Sequence, residues 1–287
     1  MSRRAENAGS ITGVRAVFHR MTRGAAVLLV GLGALLVGLY ACQSKLVYHP
    51  WKGIDATPAD VGLDYDDVRI ETEDGETVHG FYVPHDSARA TLLLCHGNAG
   101  NVSNRVPVVG TLHRLGVSVL VFDYRGFGLS TGSPDEQGTY RDARAAHRHL
   151  VERRGVSPDR IVIYGKSLGG AVASRLAAEV PNAAVVLDSA FSSIEQFAVE
   201  AYPLLPVRSM LRYEYPTAAN VEQLDVPLLV IHSRNDGLIP FEHAKRIVEA
   251  GGERARLVEA RGAHNDDHLR EPAVARAFVE LLETSVP

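Results

Sequence analysis

The chain alternates between short, almost wholly apolar runs and longer stretches in which apolar residues recur at helical spacing. The short runs are Thr91 to Cys95, Val117 to Phe122, Ile161 to Tyr164, Ala184 to Leu187 and Leu228 to His232, with a more polar last strand at Arg256 to Glu259. A strand wetted on one face alternates apolar and polar residues, whereas a strand covered on both faces does not. The stretches Arg105 to Leu115, Pro134 to Arg153, Leu168 to Val180 and Pro272 to Glu283 predict helices. Strand followed by helix, repeated, predicts a mostly parallel sheet with helices on both faces. Upstream, Val68 to Thr72 and Val78 to Val83 alternate around the turn Glu73-Asp-Gly-Glu76, which predicts an antiparallel hairpin. The rhythm breaks at Phe191 to Leu224, where a single helix would suffice between strands. That insertion reads as a small cap over a site at the carboxyl ends of the strands. Its Phe191, Phe197, Tyr202, Tyr213 and Tyr215 either line a pocket for an acyl group or pack the cap onto the sheet.

A longer apolar run lies near the N-terminus. Ala25 to Cys42 carries no charge and follows Arg15, Arg20 and Arg23. Its eighteen residues are close to the minimum for a bilayer-spanning helix. Positive charge ahead of it predicts a cytoplasmic N-terminus and an extracytoplasmic remainder. A second reading begins at Met21, where the apolar stretch ending Leu39-Tyr-Ala-Cys42 resembles a bacterial lipoprotein signal with Cys42 as the lipidated residue. A cleaved secretory signal is the third. The expected partition is a basic segment 1–24, an anchor or signal 25–42, a linker 43–66 and a globular region 67–287 with its cap at about 191–224.

Composition narrows the functional classes. The 287 residues are 46% hydrophobic, ample for one α/β domain with an N-terminal attachment. The net charge of −4 is uneven, because residues 1–24 hold five arginines against one glutamate. The remainder is mildly acidic and has no basic stripe, which argues against a nucleic-acid partner. Two cysteines, Cys42 and Cys95, make no disulfide framework, and no C-x-x-C spacing occurs.

Candidate chemistry centres on Asp159 to Gly170, a short apolar strand running into Gly165-Lys-Ser-Leu-Gly169. G-x-S-x-G between a strand and a helix is a nucleophile elbow, in which Ser167 sits at the tip of a strained turn. A serine hydroxyl needs a base to take its proton and an acid to orient that base. In folds with this elbow the acid and then the histidine follow the serine in the chain. Asp236, just past the strand Leu228 to His232, fits the acid, with Asp188 as runner-up and Asp123 too early. His264, in the Gly-containing loop after Arg256 to Glu259, fits the base; His268 is its near competitor. His147, His149 and His243 read as surface residues on helices.

The oxyanion that forms on attack needs two N–H donors. Leu168, directly after the nucleophile, supplies one, and Asn98 in His96-Gly-Asn-Ala-Gly-Asn101 the other. His96 reads as a brace for that loop. Asp266, Asp267 and His268 lack strand-anchored partner ligands, so no metal is expected, and nothing implies a cofactor. The glycines of Asp123-Tyr-Arg-Gly-Phe-Gly-Leu-Ser-Thr-Gly132 miss the dinucleotide spacing, and the segment reads as a buttress for the site's rim.

Together, Cys95–Asn101, Asp123–Gly128, Gly165–Gly170, Ser233–Asp236 and Gly262–Asp266 resemble the membrane-anchored, small-lid branch of the α/β-hydrolase superfamily, also described as serine aminopeptidase-like. Tyr202-Pro-Leu-Leu-Pro-Val-Arg208 resembles that branch too, and the likeness runs from about Leu46 to the C-terminus. Ala263 departs from it, standing where relatives more often have glycine. The resemblance implies an α/β-hydrolase fold with Ser167, Asp236 and His264 as nucleophile, acid and base. Its members include depalmitoylases, lysophospholipid lipases and esterases. The expected activity is therefore hydrolysis of carboxylic esters or thioesters of a small-molecule or acyl-group substrate at a membrane. The alternatives are a peptidase for short peptides and a non-catalytic scaffold.

Overall fold

The computed structural model describes the backbone from Arg3 and the side chains from His19, through to Pro287. It divides into two units, one ending at Leu46 and one spanning Val47–Pro287. In the first, helix α1 (Arg3–Ala41) contains the stretch His19–Ala41, 23 residues long and apolar enough to cross a membrane. That stretch begins six residues before the expected 25–42, because His19, Arg20 and Arg23 continue the same helix. Its Val27, Leu28 and Val30 side chains are exposed.

After the short α2 (Gln43–Val47), the second unit runs in chain order through β1 (His49–Pro50), β2 (Asp66–Glu71), β3 (Thr77–Val83), β4 (Ala90–Cys95), β5 (Ala99–Gly100), α3 (Val106–Arg114) and β6 (Val117–Phe122). It continues with α4 (Glu136–Arg154), β7 (Ile161–Lys166), α5 (Leu168–Glu179) and β8 (Ala184–Asp188). Three short helices, α6 (Ile194–Ala201), α7 (Val207–Met210) and α8 (Thr217–Val221), fill the expected insertion. Then come β9 (Leu228–Ser233), α9 (Glu242–Gly251), β10 (Ala255–Ala260) and α10 (Pro272–Ser285). Eight strands form one sheet in the order β10-β9-β8-β7-β4-β6-β3-β2. The hairpin β2–β3 joins β6 antiparallel, and the pairings from β6 across to β10 are parallel.

The all-apolar strands now have their reason. Leu93, Leu120 and Ile163 face a core shared with α4, α5 and α9, while Leu92, Val119 and Val162 face one shared with α3 and α10. Both faces are dry, so a polar side chain there needs a partner, as Ser118 Oγ finds by accepting the His85 amide at 3.0 Å. Each buried apolar side chain contributes about 1.5–3 kcal/mol by leaving water.

Sheet order also locates the site. From β4 the chain moves outward to β6 and then crosses back to β7 on the other side of β4. The loops after β4 and β7 therefore diverge, leaving a crevice at the carboxyl edge where ligands of open α/β sheets bind. Register puts Cys95 beside Gly165, so the His96–Asn98 loop opens next to Ser167.

Some expectations need correction. Helix α4 starts at Glu136 rather than Pro134, because the Asp135 carboxylate caps it by accepting the Gly138 amide at 2.9 Å. His147 is buried, its Nε2 3.1 Å from the Pro181 carbonyl. His243 is fully buried, accepting the Ser192 amide at Nδ1 (3.1 Å) with Nε2 3.2 Å from Glu200. Burial holds this imidazole below its ordinary pKa despite Glu200, so it stays neutral and joins α9 to the cap. The segment 43–66 is no linker beyond Val47, since from there it belongs to the folded unit.

Candidate active site

Strand β7 ends in a turn that carries Ser167 at φ 55°, ψ −122°, immediately before α5. Such a conformation costs on the order of 1–3 kcal/mol and needs support. The Ser167 amide donates to the Asp188 carbonyl at 2.9 Å, and its own carbonyl accepts from Gly170 at 2.8 Å. The glycines are steric necessities. A Cβ on Gly165 would lie 2.3 Å from the Gly169 carbonyl oxygen, and one on Gly169 would lie 2.0 Å from that of Cys95. Helix α5 packs against its own strand and β4 only because both positions are bare.

Two loops from the other half of the sheet reach this serine. Past β10, Gly262 adopts φ 90°, which turns the chain back and delivers His264. His264 Nε2 lies 3.0 Å from Ser167 Oγ, and His264 Nδ1 lies 2.7 Å from Asp236 Oδ2. With Nδ1–H donating to the carboxylate, Nε2 presents its lone pair to the hydroxyl. Past β9, Asp236 accepts the amides of Leu238 (2.8 Å) and Ile239 (2.9 Å) at Oδ1. Burial opposes its ionisation, but the His264 and backbone hydrogen bonds more than offset that and hold its pKa below the usual carboxylate value. Ser167 and His264 are buried, at the floor of the crevice.

Leu168 N–H opens α5, where a helix has no internal acceptor and its dipole is positive. Across the crevice, Gly97 comes close enough that a Cβ there would sit 3.6 Å from Ser167 Cβ. The next peptide, that of Asn98, is held by a strap, Val47 to Trp51, that lies within the expected linker 43–66. Asn98 Nδ2 donates to the Val47 carbonyl at 2.8 Å, and the Asn98 carbonyl accepts from His49 N–H at 2.8 Å. β1 pairs in parallel with β5, and Trp51 N–H donates to the Gly100 carbonyl at 3.1 Å. The Trp51 carbonyl accepts from Gly128 N–H (2.8 Å) and Asn101 Nδ2 (3.2 Å). The strap also touches the cap, through Tyr48 Oη and Tyr215 Oη at 2.7 Å and an edge-on Tyr48–Tyr213 contact. A two-residue pairing has no periodicity to read; only the asparagines of the loop hinted at outside partners.

His96 lies beneath this loop, fully buried, with Nδ1 2.6 Å from the Gly97 carbonyl and Nε2 3.4 Å from Asp123 Oδ1. Asp123 also accepts the Val102 amide, so the segment 123–132 supports the rim from below. Asp188 is not paired with His264. Its Oδ1 lies 2.8 Å from His268 Nδ1, while its Oδ2 accepts from Tyr164 Oη (2.7 Å) and Lys166 Nζ (3.1 Å). The cap's aromatics divide. Phe191, Tyr213 and Tyr215 are buried packing residues, whereas Tyr202 and Leu204 are exposed, Leu204 at 96%.

A doubly covered parallel sheet, a strained serine at its switch point and a histidine within reach define a hydrolase of the α/β class. The chain belongs to the alpha/beta hydrolase fold family, whose model matches residues 90–221. Among its relatives, the uncharacterized protein Rv2307c of Mycobacterium tuberculosis is 39% identical over 267 residues, covering 91% of this chain and 95% of that one. An uncharacterized membrane protein of Saccharomyces cerevisiae is 29% identical over 273 residues, covering 88% and 96%. Of solved structures, an esterase of Pyrococcus furiosus superposes with a TM-score of 0.68 at 22% identity, covering 84% of this chain and 99% of that one.

Proposed function

We propose that this chain is a membrane-tethered serine hydrolase that cleaves carboxylic ester or thioester bonds through an acyl-enzyme. The observation that carries this reading is the continuous line from Asp236 through His264 to Ser167, with hydrogen-bond spacings of 2.7 and 3.0 Å. His264 Nε2 takes the hydroxyl proton as Ser167 Oγ attacks the substrate carbonyl carbon. Asp236 stabilises the imidazolium that forms. The Leu168 and Asn98 N–H groups hold the oxyanion, each donor of this kind contributing about 2.7–4 kcal/mol to the transition state. The imidazolium then protonates the leaving alcohol or thiol as the carbonyl–heteroatom bond breaks. In the second half, His264 removes a proton from water, the hydroxide oxygen attacks the acyl carbon, and the proton returns to Ser167 as the acid departs.

Of the cap carboxylates Glu195, Glu200 and Glu214 that would suit a peptide's amino terminus, the first two are engaged, which supports an ester rather than peptide substrate, while Glu214 is exposed. Glu195 is paired with Arg208 at 3.2 Å, and Glu200 with Arg246 at 3.0 Å and His243. The tether is supported by the His19–Ala41 stretch and by the name of the yeast relative. We read it as a retained single-pass anchor with the catalytic unit extracytoplasmic. A mass measurement of the mature N-terminus distinguishes this from lipidated Cys42 or a cleaved signal.

A fluorophosphonate probe should label the wild-type protein and leave Ser167→Ala unlabelled. Wild-type protein that stays unlabelled would overturn the reading. Turnover of p-nitrophenyl acyl esters should exceed that of aminoacyl anilides; the reverse order would favour the peptidase.

A further inference from the structure

We propose that the cavity between the Asn98 loop and the His264 loop binds the leaving half of the substrate, and that this half carries a carboxylate or phosphate held by Arg105. This rests on the function proposed above and names a substrate class for the same site.

Position comes first. The cavity is lined by Gly97, Lys166 and Asn265, the chain neighbours of the oxyanion donor Asn98, the nucleophile Ser167 and the base His264. Its walls also include Leu94 and Tyr164, which belong to the core shared with α3 and α10. The cap packs on the opposite face of the sheet, where Phe191 and Tyr213 join the core shared with α4, α5 and α9. An ester whose carbonyl lies at Ser167 can therefore send its two halves to opposite faces. The half beside the His264 loop is the one whose heteroatom His264 protonates as it leaves.

Size comes second. The cavity measures about 190 Å³, against roughly 300 Å³ for the smallest pockets that take a whole ligand. It suits one end of a substrate and not all of it.

Charge selects the ligand. Arg105 leads into α3 and donates to the Ala99 carbonyl through one terminal nitrogen. Its Nε is enclosed and meets no acceptor. Among the described residues, no carboxylate lies within 4.0 Å of its guanidinium. Burial lowers its pKa, which Tyr124 and Asp123 only partly offset, yet a guanidinium keeps its charge in proteins. A charged donor shut off from water without an acceptor is costly, and a bound anion supplies one. Lys166 gives two of its three N–H groups to Asp188 and the Asp266 carbonyl and keeps one. The acids of the cavity have other partners. Asp188 is paired with Lys166 and His268, and Asp267 Oδ2 with Arg270 (3.1 Å) and Thr111 (2.7 Å). Asp266 Oδ2 accepts the Ala263 amide at 2.8 Å. Asp267 Oδ1, enclosed without a donor, makes an ammonium group the competing ligand.

Acetate esters matched in their acyl group provide the test. Wild-type protein should hydrolyse meta-acetoxybenzoate or meta-acetoxyphenyl phosphate with kcat/KM about tenfold above that for methyl meta-acetoxybenzoate. The better of the two acids identifies the anion that the cavity takes. Arg105→Ala should return that ratio to about one, and Arg105→Lys should keep most of it. The ratio compares two substrates on one protein, so any slackening of the loop at Ala99 cancels. Wild-type indifference to the acid, an Arg105→Ala ratio equal to that of wild type, or a preference for meta-acetoxybenzylammonium overturns the proposal. Without turnover, Ser167→Ala should bind meta-hydroxybenzoate in calorimetry about tenfold more tightly than its methyl ester, and adding Arg105→Ala should remove the difference. Equal binding of the two by Ser167→Ala overturns it as well. That binding needs no nucleophile and fluorophosphonate labelling needs no acidic leaving group, so failure of this inference and failure of the hydrolase reading are distinguishable.

Discussion

Two carboxylate–imidazole pairs stand beside the same serine. Asp236 and His264 are 2.7 Å apart; Asp188 and His268 are 2.8 Å apart. Bond length does not distinguish them. Their surroundings do. His264 turns its second nitrogen to the Ser167 hydroxyl, and two backbone amides hold its carboxylate partner. Asp188 instead binds Tyr164 and Lys166 from β7 and carries the Ser167 amide on its carbonyl. Burial opposes charge on Asp188, but Lys166 and His268 more than offset it and keep the carboxyl well below its usual pKa. The same carboxylate, with backbone contact to Ala263, raises His268 above its ordinary value against the effect of burial. This second pair ties β7 to the loop that delivers His264. In the function proposed here, an Asp–His pair acts as a proton relay only where the ring's other nitrogen meets the reacting hydroxyl; the Asp188–His268 pair has no such hydroxyl and is a crosslink.

The largest contrast should come from the histidines. His264→Ala should lower kcat for a p-nitrophenyl ester by roughly 10⁶-fold. His268→Ala should leave turnover per folded, titrated site within about tenfold, since it touches no reacting atom. Similar losses in both would erase the distinction. The acids sharpen it next. Asp236→Asn should cost roughly 10⁴-fold in kcat by presenting the wrong tautomer partner. Asp188→Asn should instead lower unfolding free energy by about 3–5 kcal/mol in urea titrations, because Lys166 and His268 lose a buried counter-charge. An Asp188→Asn protein as stable as wild type would refute the crosslink.

A smaller effect tests the strap. Asn98→Ala removes the bond to the Val47 carbonyl while keeping the backbone donor. We expect kcat to fall about tenfold with KM held, the worth of one hydrogen bond's positioning. A change confined to KM would place Asn98 in substrate binding instead. The smallest is pH dependence. The raised His268 contributes stability in full below about pH 6.5, its unfolded value, which is lost as pH climbs through the folded pKa. The depressed Asp188 contributes above about pH 3.9, and that is lost as pH falls through its folded pKa. The pair therefore supports the fold best between about pH 4 and 6.5. His268→Gln should flatten the alkaline decline in Tm, measured calorimetrically; an unchanged slope would exclude His268 as its source.

How much of this was readable beforehand differs by residue. Ser167, Asp236 and His264 stood out because chain order and strand ends leave few candidates, and those rules act locally. His147 and His243 were misread, since the burial of a helical histidine depends on which distant element crosses it. Here these were the Pro181 turn and the cap. The cap's aromatics were legible as apolar, but not which of them pack and which stay in solvent. The strap was missed because its bonds join segments about fifty residues apart through two-residue pairings.

By itself the sequence determined the parallel sheet, the serine turn and the apolar N-terminal stretch, because each is written in neighbouring residues through periodicity, glycine spacing or length. Only the tertiary structure decided that Asp188 pairs with His268 rather than His264, and that Val47 to Trp51 clamps the loop carrying Asn98. Those outcomes turn on differences of a few ångströms between groups remote in the chain, and hydrogen-bond energies depend steeply on such distances.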